Sequence, residues 1–319
     1  MPDARSSVDS VAAKRAQLSD SLEELRPKAF AIAYRMLGSV SEAEDIVQEA
    51  LLRLHRALES GERIESPRAY LATVVTRLAI DHLRSARVRR ETYVGEWLPE
   101  PLVTSADEDP ARHVEMADSL SLAFLVVLES LTPEQRAVFL LREVFDYPYE
   151  QIAGIVGKSE AATRQLAVRA RKHVEERRPR FEASPEQREE LARRFLAATI
   201  DGDLEGLEAL LAEDVVLHGD GGGKAPAIAR PLFGRRRVAR TLVNWARQAS
   251  RFGGVTLRPT EVNGQPGAVF LDGRGDLVSV MALDVAAGQI QAVRSIVNPD
   301  KLQHLGPVAD LDALLRGER

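Results

Sequence analysis

Two stretches with a helical pattern of apolar residues, each rich in arginine toward its C-terminal half, constrain this chain most. The first is SPRAYLATVVTRLAIDHLRSARVRR, from Ser66 to Arg90, and the second is PYEQIAGIVGKSEAATRQLAVRARKHV, from Pro148 to Val174. Apolar residues at helical spacing predict a helix that packs on one side. Clustered arginines on the other side are typical of a surface that meets phosphates. The sequence therefore predicts two separate helical units with basic faces.

Length and composition indicate a globular protein of more than one domain. At 319 residues the chain exceeds the roughly 150 residues of an ordinary domain, so we expect two or three folded units. Hydrophobic residues make up 45% and charged residues 29%, and no apolar run approaches the roughly 20 residues that cross a bilayer. The N-terminus lacks the apolar core of a signal peptide. We therefore predict a cytoplasmic protein with no membrane segment.

The chain contains no cysteine and six histidines. The absence of cysteine excludes disulfides, thiolate metal sites and cysteine nucleophiles, and it fits a reducing compartment. The histidines form no pair at the short spacings of metal ligands, so we predict neither a metal site nor a cofactor. The net charge of −5 argues against nonspecific coating of nucleic acid, but basic residues cluster between residues 158 and 180, which predicts a local basic face.

Breaks in the helical pattern divide the chain into five segments. Residues 1–17 are expected to be a disordered lead and residues 18–92 a first helical unit. Residues 93–113 hold three prolines and an acidic cluster without a helical period, so they are expected to form a linker. A second helical unit follows at 114–182, and an unrelated unit occupies 185–319.

The last unit changes from helical to strand-like patterning along its length. Two helical segments, an acidic glycine-rich stretch and a helix near Arg235 to Arg251 come first. Turn signals of the Asn-Gly, Asp-Gly and Ala-Gly type then separate short apolar runs, which predicts a curved antiparallel meander with helices on one face. These runs are Gly254 to Val262, Ala268 to Asp272, Leu277 to Val285 and Ile290 to Val297.

An acidic amphipathic helix is predicted from Ser41 to Leu58. Its packed face carries Val47, Leu51, Leu54 and Leu58. The opposite face displays Asp45, Gln48, Glu49 and Leu52. Taken alone, a charged helical face usually means only contact with solvent, and that interpretation stays open at this point.

The run AEDIVQEALLRLHR, followed by RAYLATVVTRLAIDHLR, resembles the second region of extracytoplasmic function (ECF) RNA polymerase sigma factors. The resemblance implies that the acidic helix binds the clamp helices of the largest RNA polymerase subunit. Core RNA polymerase is then a predicted partner, and Asp45, Gln48 and Glu49 are the predicted docking residues.

The same resemblance implies that the helix from Pro67 contacts the minus-ten promoter element and helps to open the duplex. Arg77, Arg84 and Arg87 carry the charge needed to neutralise phosphates. Tyr70 is the only aromatic residue of this helix and offers a face on which an unstacked base could lie. A tyrosine of the hydrophobic core would explain Tyr70 equally well.

The second arginine-rich stretch has helix-turn-helix spacing. A short helix from Tyr149 to Val156 is followed by Gly157, which permits a tight turn, and by Ser159, which can cap a second helix. The buried side of that second helix is predicted to carry Ala162, Leu166, Ala170 and Val174, leaving Arg164, Val168 and Arg171 on the opposite side.

The segment LTPEQRAVFLLREVFDYPYEQIAGIVGKSEAATRQLAVRARKHV resembles sigma region four, which reads the minus-thirty-five element. Promoter DNA is therefore a second predicted partner. Residues at the start of a recognition helix usually reach base edges, so we expect base contacts from Glu160, Ala161, Arg164 and Gln165. Phosphate contacts are expected from Arg169, Arg171 and Lys172. The Val-Gly-Thr-Val-Arg run that commonly follows the turn in the family is replaced here by Glu-Ala-Ala-Thr-Arg at residues 160–164. An ordinary basic helix that does not read DNA is the alternative interpretation.

The extension beyond region four resembles a SnoaL-like domain, and one ECF subgroup carries such an extension. Three motifs match that subgroup: WLPEP at Trp97 to Pro101, DGGGK (Asp220, Gly221, Gly222, Gly223, Lys224) and NPDKL (Asn298, Pro299, Asp300, Lys301, Leu302). The resemblance implies that they let the extension control sigma activity. From the residues alone, DGGGK also fits a plain loop and NPDKL a helix cap.

The sequence thus predicts a multidomain protein: two all-α sigma domains, a helical bundle and a helix-turn-helix, followed by an α+β SnoaL-like cone. The predicted function is that of a non-enzymatic alternative sigma factor. The fused extension and the proline-rich linker, in which Trp97 is expected to be exposed, suggest the hypothesis that the extension packs against the sigma regions and limits their relative placement. One alternative is a ligand-responsive helix-turn-helix regulator independent of polymerase. The other is a SnoaL-like cyclase or isomerase with Asp220 or His218 as base. A small-molecule ligand in the cone is left open.

Overall fold

The computed structural model describes residues 24–91, 93–104, 120–177, 184–251 and 254–316. The predicted lead at 1–17 and the linker residues 105–113 lie outside them. Two compact units are present: Met1–Ala86 with Thr132–Arg171, called the helical unit, and Arg87–Leu131 with Lys172–Arg319, called the C-terminal unit. Across the described ranges, every helix is too short or too polar to span a membrane.

Helices provide all the regular structure of the helical unit. They are α1 (residues 24–37), α2 (Val40–Glu59), α3 (Pro67–Glu91), α5 (Pro133–Phe139, continued by a π turn at Leu140–Val144), α6 (Tyr149–Val156) and α7 (Glu160–Glu175). Helix α4 (Leu122–Glu129) precedes α5 in the chain and belongs to the C-terminal unit. The predicted acidic helix and both helices of the helix-turn-helix are confirmed.

Local sequence explains where these helices begin and end. Ser39 caps α2 by accepting a hydrogen bond from the Glu42 amide, and Thr132 forms a reciprocal capping box with Gln135 at the start of α5. Gly157 ends α6 in the left-handed region at φ 66°. The Ala162 amide then donates to Ser159 Oγ at 3.3 Å, so Ser159 caps α7.

In its described residues the C-terminal unit combines seven strands with α4, five further α helices and one 3₁₀ turn. The helices are α8 (Pro185–Asp201), α9 (Leu204–Leu210), α10 (Arg235–Arg251), α11 (Pro299–Leu302) with a 3₁₀ turn at Gln303–Leu305, and α12 (Leu311–Arg316). The strands are β1 (Val103–Thr104), β2 (Leu211–Asp220), β3 (Leu232–Phe233), β4 (Thr256–Val262), β5 (Gln265–Leu271), β6 (Leu277–Ala286) and β7 (Gln289–Ile296).

The strands form one sheet in the order β1-β4-β5-β6-β7-β2-β3. The predicted meander is confirmed as β4 to β7, with two-residue turns at Asn263-Gly264 and Ala287-Gly288 that have positive φ throughout. The sheet is mixed, however, because β2 pairs with β7 in parallel. No hairpin joins these two strands, so their direction is not forced to be antiparallel. The SnoaL-like α+β fold is confirmed with that addition.

The two faces of the sheet are covered by different parts of the chain. One face packs on α8, α9 and α10 around Phe195, Leu242 and Val293. The opposite face holds a second apolar cluster, in which Leu98 from the predicted linker and Leu122 from α4 pack together with strand residues such as Ile296. The segment at 93–104, hereafter the linker segment, is therefore part of the folded C-terminal unit.

Candidate functional site

Helix α2 displays the face that the sequence predicted. Val47 and Leu54 are fully buried on the packed side, while Asp45 and Gln48 are exposed. Glu49 is half-buried and pairs with the Nε of Arg53 at 2.7 Å. Beside these polar residues Leu52 keeps 46% of its surface exposed. This face of α2 therefore combines displayed polar side chains with one partly exposed leucine.

The predicted minus-ten residues on α3 lie against the helix-turn-helix of the same unit. Arg77 donates from Nη2 to the Gly154 carbonyl at 2.8 Å and from Nε to the Ile155 carbonyl at 3.0 Å. Arg84 pairs with Glu134 of α5 at 2.6 Å. Tyr70 is half-buried, and the Arg87 side chain lies outside the described residues. Of the α3 arginines that the sequence assigned to phosphates, Arg77 is thus engaged with α6 and Arg84 with α5 inside the helical unit.

Two buried arginines make further contacts inside the helical unit, between α1 and the region of α5. Arg136 of α5 is 3% exposed and donates to the Met36 carbonyl of α1 at 2.6 Å. Burial lowers the pKa of Arg136 to about 9. Arg35 of α1 lies over the Phe145 ring, 5.6 Å from its centroid. A guanidinium buried this deeply is expensive unless its donors stay satisfied, so these contacts hold α1 to α5 firmly.

Helix α7 exposes the residues that were predicted to read DNA: Glu160, Ala161, Arg164, Gln165, Arg169, Arg171 and Lys172. Arg164 is held by an ion pair with Glu160 and lies over the Tyr149 ring, 4.9 Å from its centroid. Arg171 pairs with Glu143 at 2.5 Å. The arginines in these pairs are largely exposed, so the pairs contribute little energy and can be broken at small cost.

The predicted packing stripe of α7 is confirmed at Ala170 and Val174 and is wrong by one position at Ala162 and Leu166. Ala162 and Leu166 are only half-buried, and the buried residues are Thr163, Ala167, Ala170 and Val174. A spacing of four residues advances about 400° and so drifts by roughly 40° at each step, whereas alternating four and three keeps one face. Val168 is 64% exposed, as the sequence predicted for the opposite side.

The three motifs of the extension meet at one buried carboxylate. Asp220, at the end of β2, has no exposed surface and accepts three hydrogen bonds. The donors are the Tyr93 hydroxyl at 2.5 Å, the Leu98 amide at 2.8 Å and Lys301 Nζ at 2.6 Å. Three donors around one carboxylate offset the cost of burying its charge. Two of them come from the linker segment.

The remaining partners close the site around the linker segment. Asn298 donates to the Tyr93 hydroxyl at 2.8 Å, and Lys301 also donates to the Leu98 carbonyl. The Lys301 ammonium lies 4.3 Å from the Trp97 ring centroid, a cation–π contact. Trp97 is therefore half-buried against Lys301, which corrects the prediction of an exposed side chain. We call Asp220, Asn298 and Lys301 the linker-binding cluster.

The glycines of DGGGK are required by close approach as well as by backbone conformation. A Cβ at Gly222, where φ is +59°, would lie 2.3 Å from Asn298 Nδ2 and 3.0 Å from the Tyr93 hydroxyl. A Cβ at Gly221 would lie 2.2 Å from the Ala225 carbonyl, and one at Gly223 would meet Val94 at 3.0 Å. Such distances leave no room for a side chain.

The other motif residues complete the same region. Lys224 pairs with Asp300 at 2.6 Å across the exposed edge and so joins DGGGK to NPDKL. Pro299 begins α11 after the N-cap Asn298, whose side chain accepts from the Asp300 amide. Leu302 is fully buried in the apolar cluster that contains Leu98.

Sequence reasoning missed Tyr93 and Glu96. Burial and the hydrogen bond to Asp220 raise the pKa of Tyr93 above its ordinary value, so its hydroxyl remains a donor. Glu96 contacts His218 Nδ1 at 2.7 Å. Neither residue has a pattern that marks it, because each is a single side chain in a stretch without period. The contact with Glu96 shows that the His218 side chain, like that of Asp220, lies on the face of the sheet that binds the linker segment.

The residues on both sides of the stretch 105–119, which leads to the second helical region, are also hydrogen-bonded to the C-terminal unit. The Leu102 amide donates to Asn263 Oδ1 at 2.9 Å, and Asn263 Nδ2 donates to the Leu120 carbonyl at 2.9 Å. His304 Nε2 contacts the Pro101 carbonyl at 2.8 Å. Asn263 therefore binds both sides of the stretch 105–119, which brings Leu102 and Leu120 to one point of the C-terminal unit.

Comparisons with known proteins agree with this architecture. The family Sigma-70 region 2 matches residues 22–89, and the family Sigma-70, region 4 matches residues 121–174. The ECF RNA polymerase sigma factor SigJ of Mycobacterium tuberculosis is 42% identical over 289 residues, which cover 88% of this chain and 91% of the relative. The probable ECF RNA polymerase sigma factor SigI of the same species is 36% identical over 277 residues, 86% of this chain and 91% of the relative.

The crystal structure of the Mycobacterium tuberculosis extracytoplasmic function sigma factor SigJ aligns with a TM-score of 0.73 at 38% identity. The alignment covers 91% of this chain and 100% of that structure. The similarity therefore includes the fused α+β extension as well as the helical regions.

Replacing Gly222 by alanine should detach the linker segment from the cluster, because the new methyl group overlaps Asn298. We expect the Leu98 amide, which donates to Asp220, to exchange its hydrogen at least about tenfold faster, equivalent to ~1.4 kcal/mol. Hydrogen exchange of the intact chain measures this. Gly275→Ala is the matched control, since φ is +88° there and nothing lies within 4 Å. Equal exchange in the two variants would contradict the assignment.

Proposed function

This chain belongs to the extracytoplasmic function (ECF) family of RNA polymerase sigma factors, and on that premise we propose how its parts share the work of initiation. It is an alternative sigma factor, and the 42% identity to SigJ over most of both chains carries this conclusion. Residues 18–92 would act as region two, 114–182 as region four and 185–319 as a regulatory domain, joined by the linker 93–113. We assign the chain to the cytoplasm, where polymerase and promoters are.

We propose that α2 docks on core RNA polymerase through Asp45, Gln48 and Glu49. The exposure of Asp45 and Gln48 and the apolar surface of Leu52 beside them support this role. Small apolar patches among charges are favourable at interfaces, because the apolar part is removed from water while the charges set orientation. A regulator that acts without polymerase would not need this surface for binding, so loss of core binding on replacing it separates the two functions.

Promoter contacts are assigned to α3 and α7. On α3 we propose Tyr70 for stacking and Arg77, Arg84 and Arg87 for phosphates. On α7 the exposed N-terminal positions would read bases and the following cations would hold the backbone of the duplex. The exposed Arg164, Gln165 and Arg169 support that assignment.

The contacts inside the helical unit are incompatible with promoter binding, so we propose that the chain must open. The minus-ten and minus-thirty-five elements are about 25 base pairs apart, or roughly 85 Å at about 3.4 Å of rise per base pair. Arg77 cannot bind the Gly154 and Ile155 carbonyls at 2.8 to 3.0 Å while α3 and α7 lie on those two elements. The compact arrangement is then a resting form in which promoter recognition is blocked.

The C-terminal unit would stabilise that resting form by shortening the connection between the two regions. Leu102 and Leu120, which flank the stretch 105–119, are both hydrogen-bonded to Asn263. The linker segment is also held by Asp220 and Lys301. Releasing these contacts lengthens the free chain that joins region two to region four. We propose this release as the regulatory step.

Enzymatic activity of the extension is not part of the proposal, since sigma factors are not enzymes. The cyclase or isomerase alternative required Asp220 or His218 as a base in the cavity of the cone. Their side chains instead bind Tyr93 and Glu96 of the linker segment. That placement argues against the alternative as it was stated.

Run-off transcription with purified core polymerase tests the docking surface. Replacing Asp45, Gln48 and Glu49 together by alanine should weaken core binding at least about tenfold and reduce the transcript accordingly, because exposed residues at the centre of an interface carry much of its energy. The control is the double variant Glu189→Ala with Glu205→Ala. It also removes two negative charges, but from exposed positions on other helices. An unchanged transcript with the triple variant would disprove the assignment of α2.

Cross-linking tests the need to open the helical unit. The chain has no native cysteine, so Arg84→Cys with Glu134→Cys can be joined by a short bis-maleimide. We expect transcript from the cross-linked protein to fall more than about tenfold below that of the same variant before cross-linking, because α3 can no longer leave α5. The two single-cysteine variants, treated alike, are controls. Full activity of the linked protein would show that opening is unnecessary.

Removing residues 185–319 tests the regulatory role of the extension. Without the sheet the linker segment has no binding site, so we expect more transcript at limiting core polymerase than the full chain gives. Lys301→Met in the full chain should act in the same direction, and Lys224→Met, which breaks only the exposed pair with Asp300, should have little effect. Transcript levels that do not differ between these proteins would rule out this role.

A further inference from the structure

A cavity of about 450 Å³ lies within the C-terminal unit, on the side of the sheet opposite the linker segment. Helices α8, α10 and α12 and strands β4 to β7 contribute to its wall. Its lining is mostly apolar, with Leu242, Trp245, Leu257, Phe270, Val278 and Met281 among the lining residues. Trp245 and Phe270 supply two aromatic rings. Volumes of this order are usual for sites that enclose a drug-sized molecule.

The polar groups of the wall are few and mostly occupied. Asp272 is the one ionisable residue among the described residues that line the cavity, and its Oδ1 already accepts from the amides of Arg274 and Asp276 at 2.8 and 2.9 Å. The Thr199 hydroxyl donates to the Phe195 carbonyl. Ser295 and Gln248 remain to orient a ligand. An anion would lose its hydration here and find no positive charge, and the one carboxylate, already hydrogen-bonded to two amides, offers a cation little compensation. The wall therefore favours an uncharged molecule.

The C-terminal helix closes one side of this cavity. Leu311, Leu314 and Leu315 of α12 line it at the spacing of one helical face. None of the six residues of α12 is fully buried, although the chain just before it is fixed by hydrogen bonds between Leu277 and both Pro307 and Ala309. A helix this short is unstable without an apolar partner, and a bound molecule would supply one.

The cavity and the linker-binding cluster share the same stretches of backbone. Gly219 and Val297 line the cavity, and the next residues in the chain are Asp220 and Asn298 of the cluster. The amides of Val297 and Asn298 both donate to the Asp220 carbonyl, at 2.9 and 3.0 Å. A displacement of either strand end by a ligand therefore moves the groups that hold the linker segment.

We propose that the cavity binds an uncharged, mostly apolar small molecule under α12, and that its occupancy changes the hold on the linker segment. The binding site stands on the cavity alone, whereas any effect on transcription rests on the proposed function. By linkage, the ligand and the linker segment each alter the affinity for the other to the same degree.

The experiment uses the full chain and two fluorescent probes that differ by one charge. N-phenyl-1-naphthylamine is uncharged, and 8-anilino-1-naphthalenesulfonate carries a sulfonate on the same ring system. We expect the uncharged probe to bind at least about tenfold more tightly. Ala249→Phe should reduce that binding at least about tenfold by filling the cavity, and Asn244→Phe, on an exposed position of the same helix, should leave it unchanged. Equal affinity for both probes, or equal effects of both variants, overturns the site.

Hydrogen exchange of the Leu98 amide with and without the uncharged probe tests the coupling. A change in exchange in the native chain that is absent in Ala249→Phe supports it. Exchange that the bound probe does not alter overturns the coupling. Failure of the proposed function is separate, because it would appear as a missing transcript with core polymerase in the absence of any probe.

Discussion

The arrangement of the C-terminal unit depends on how one buried carboxylate is satisfied. Asp220 has no exposed surface, and an ionised carboxylate without partners is among the costliest groups to bury. Two of its donors, Tyr93 and the Leu98 amide, come from the linker segment, and the third is Lys301 of α11. If the linker segment is displaced, the Asp220 carboxylate keeps only one of its three hydrogen-bond donors. The need to satisfy this buried charge therefore holds the linker segment on the sheet.

The helical unit uses its arginines in a related way. Arg77 and Arg136 donate to backbone carbonyls of distant helices, and Arg84 pairs with Glu134. A guanidinium satisfied by carbonyls at a helix end can exchange those acceptors for phosphates without losing hydrogen bonds. Under the proposed function, Arg77 and Arg84 would hold the free protein compact and would also bind promoter DNA. A change in the tether between the two regions would then shift the balance between these states.

Much of the architecture could be predicted from the chain, and what escaped prediction has a common cause. The periodicity of α2, α3 and α7 and the Asn263-Gly264 and Ala287-Gly288 turns are local signals, readable within one helical face or one hairpin. The strand character of β2 and its parallel pairing with β7 were missed, because a strand without a hairpin partner carries no local signal of its neighbour. The first half of the α7 stripe was placed one residue off, because a strict spacing of four residues drifts around the helix.

The sequence by itself determined the family, the helical regions, the meander and the importance of three short motifs, since these depend on residue types and spacings close together in the chain. Only the tertiary structure decided that Trp97, Asp220 and Lys301 meet at one point and that Tyr93 joins them. It also decided that Glu96 pairs with His218 and that Arg77 is occupied within the helical unit. The Tyr93 and Asn298 contact spans 205 positions. Contacts at such separations are selected by the requirement to satisfy buried charge and hydrogen-bonding groups once the core has formed, and no local pattern encodes them.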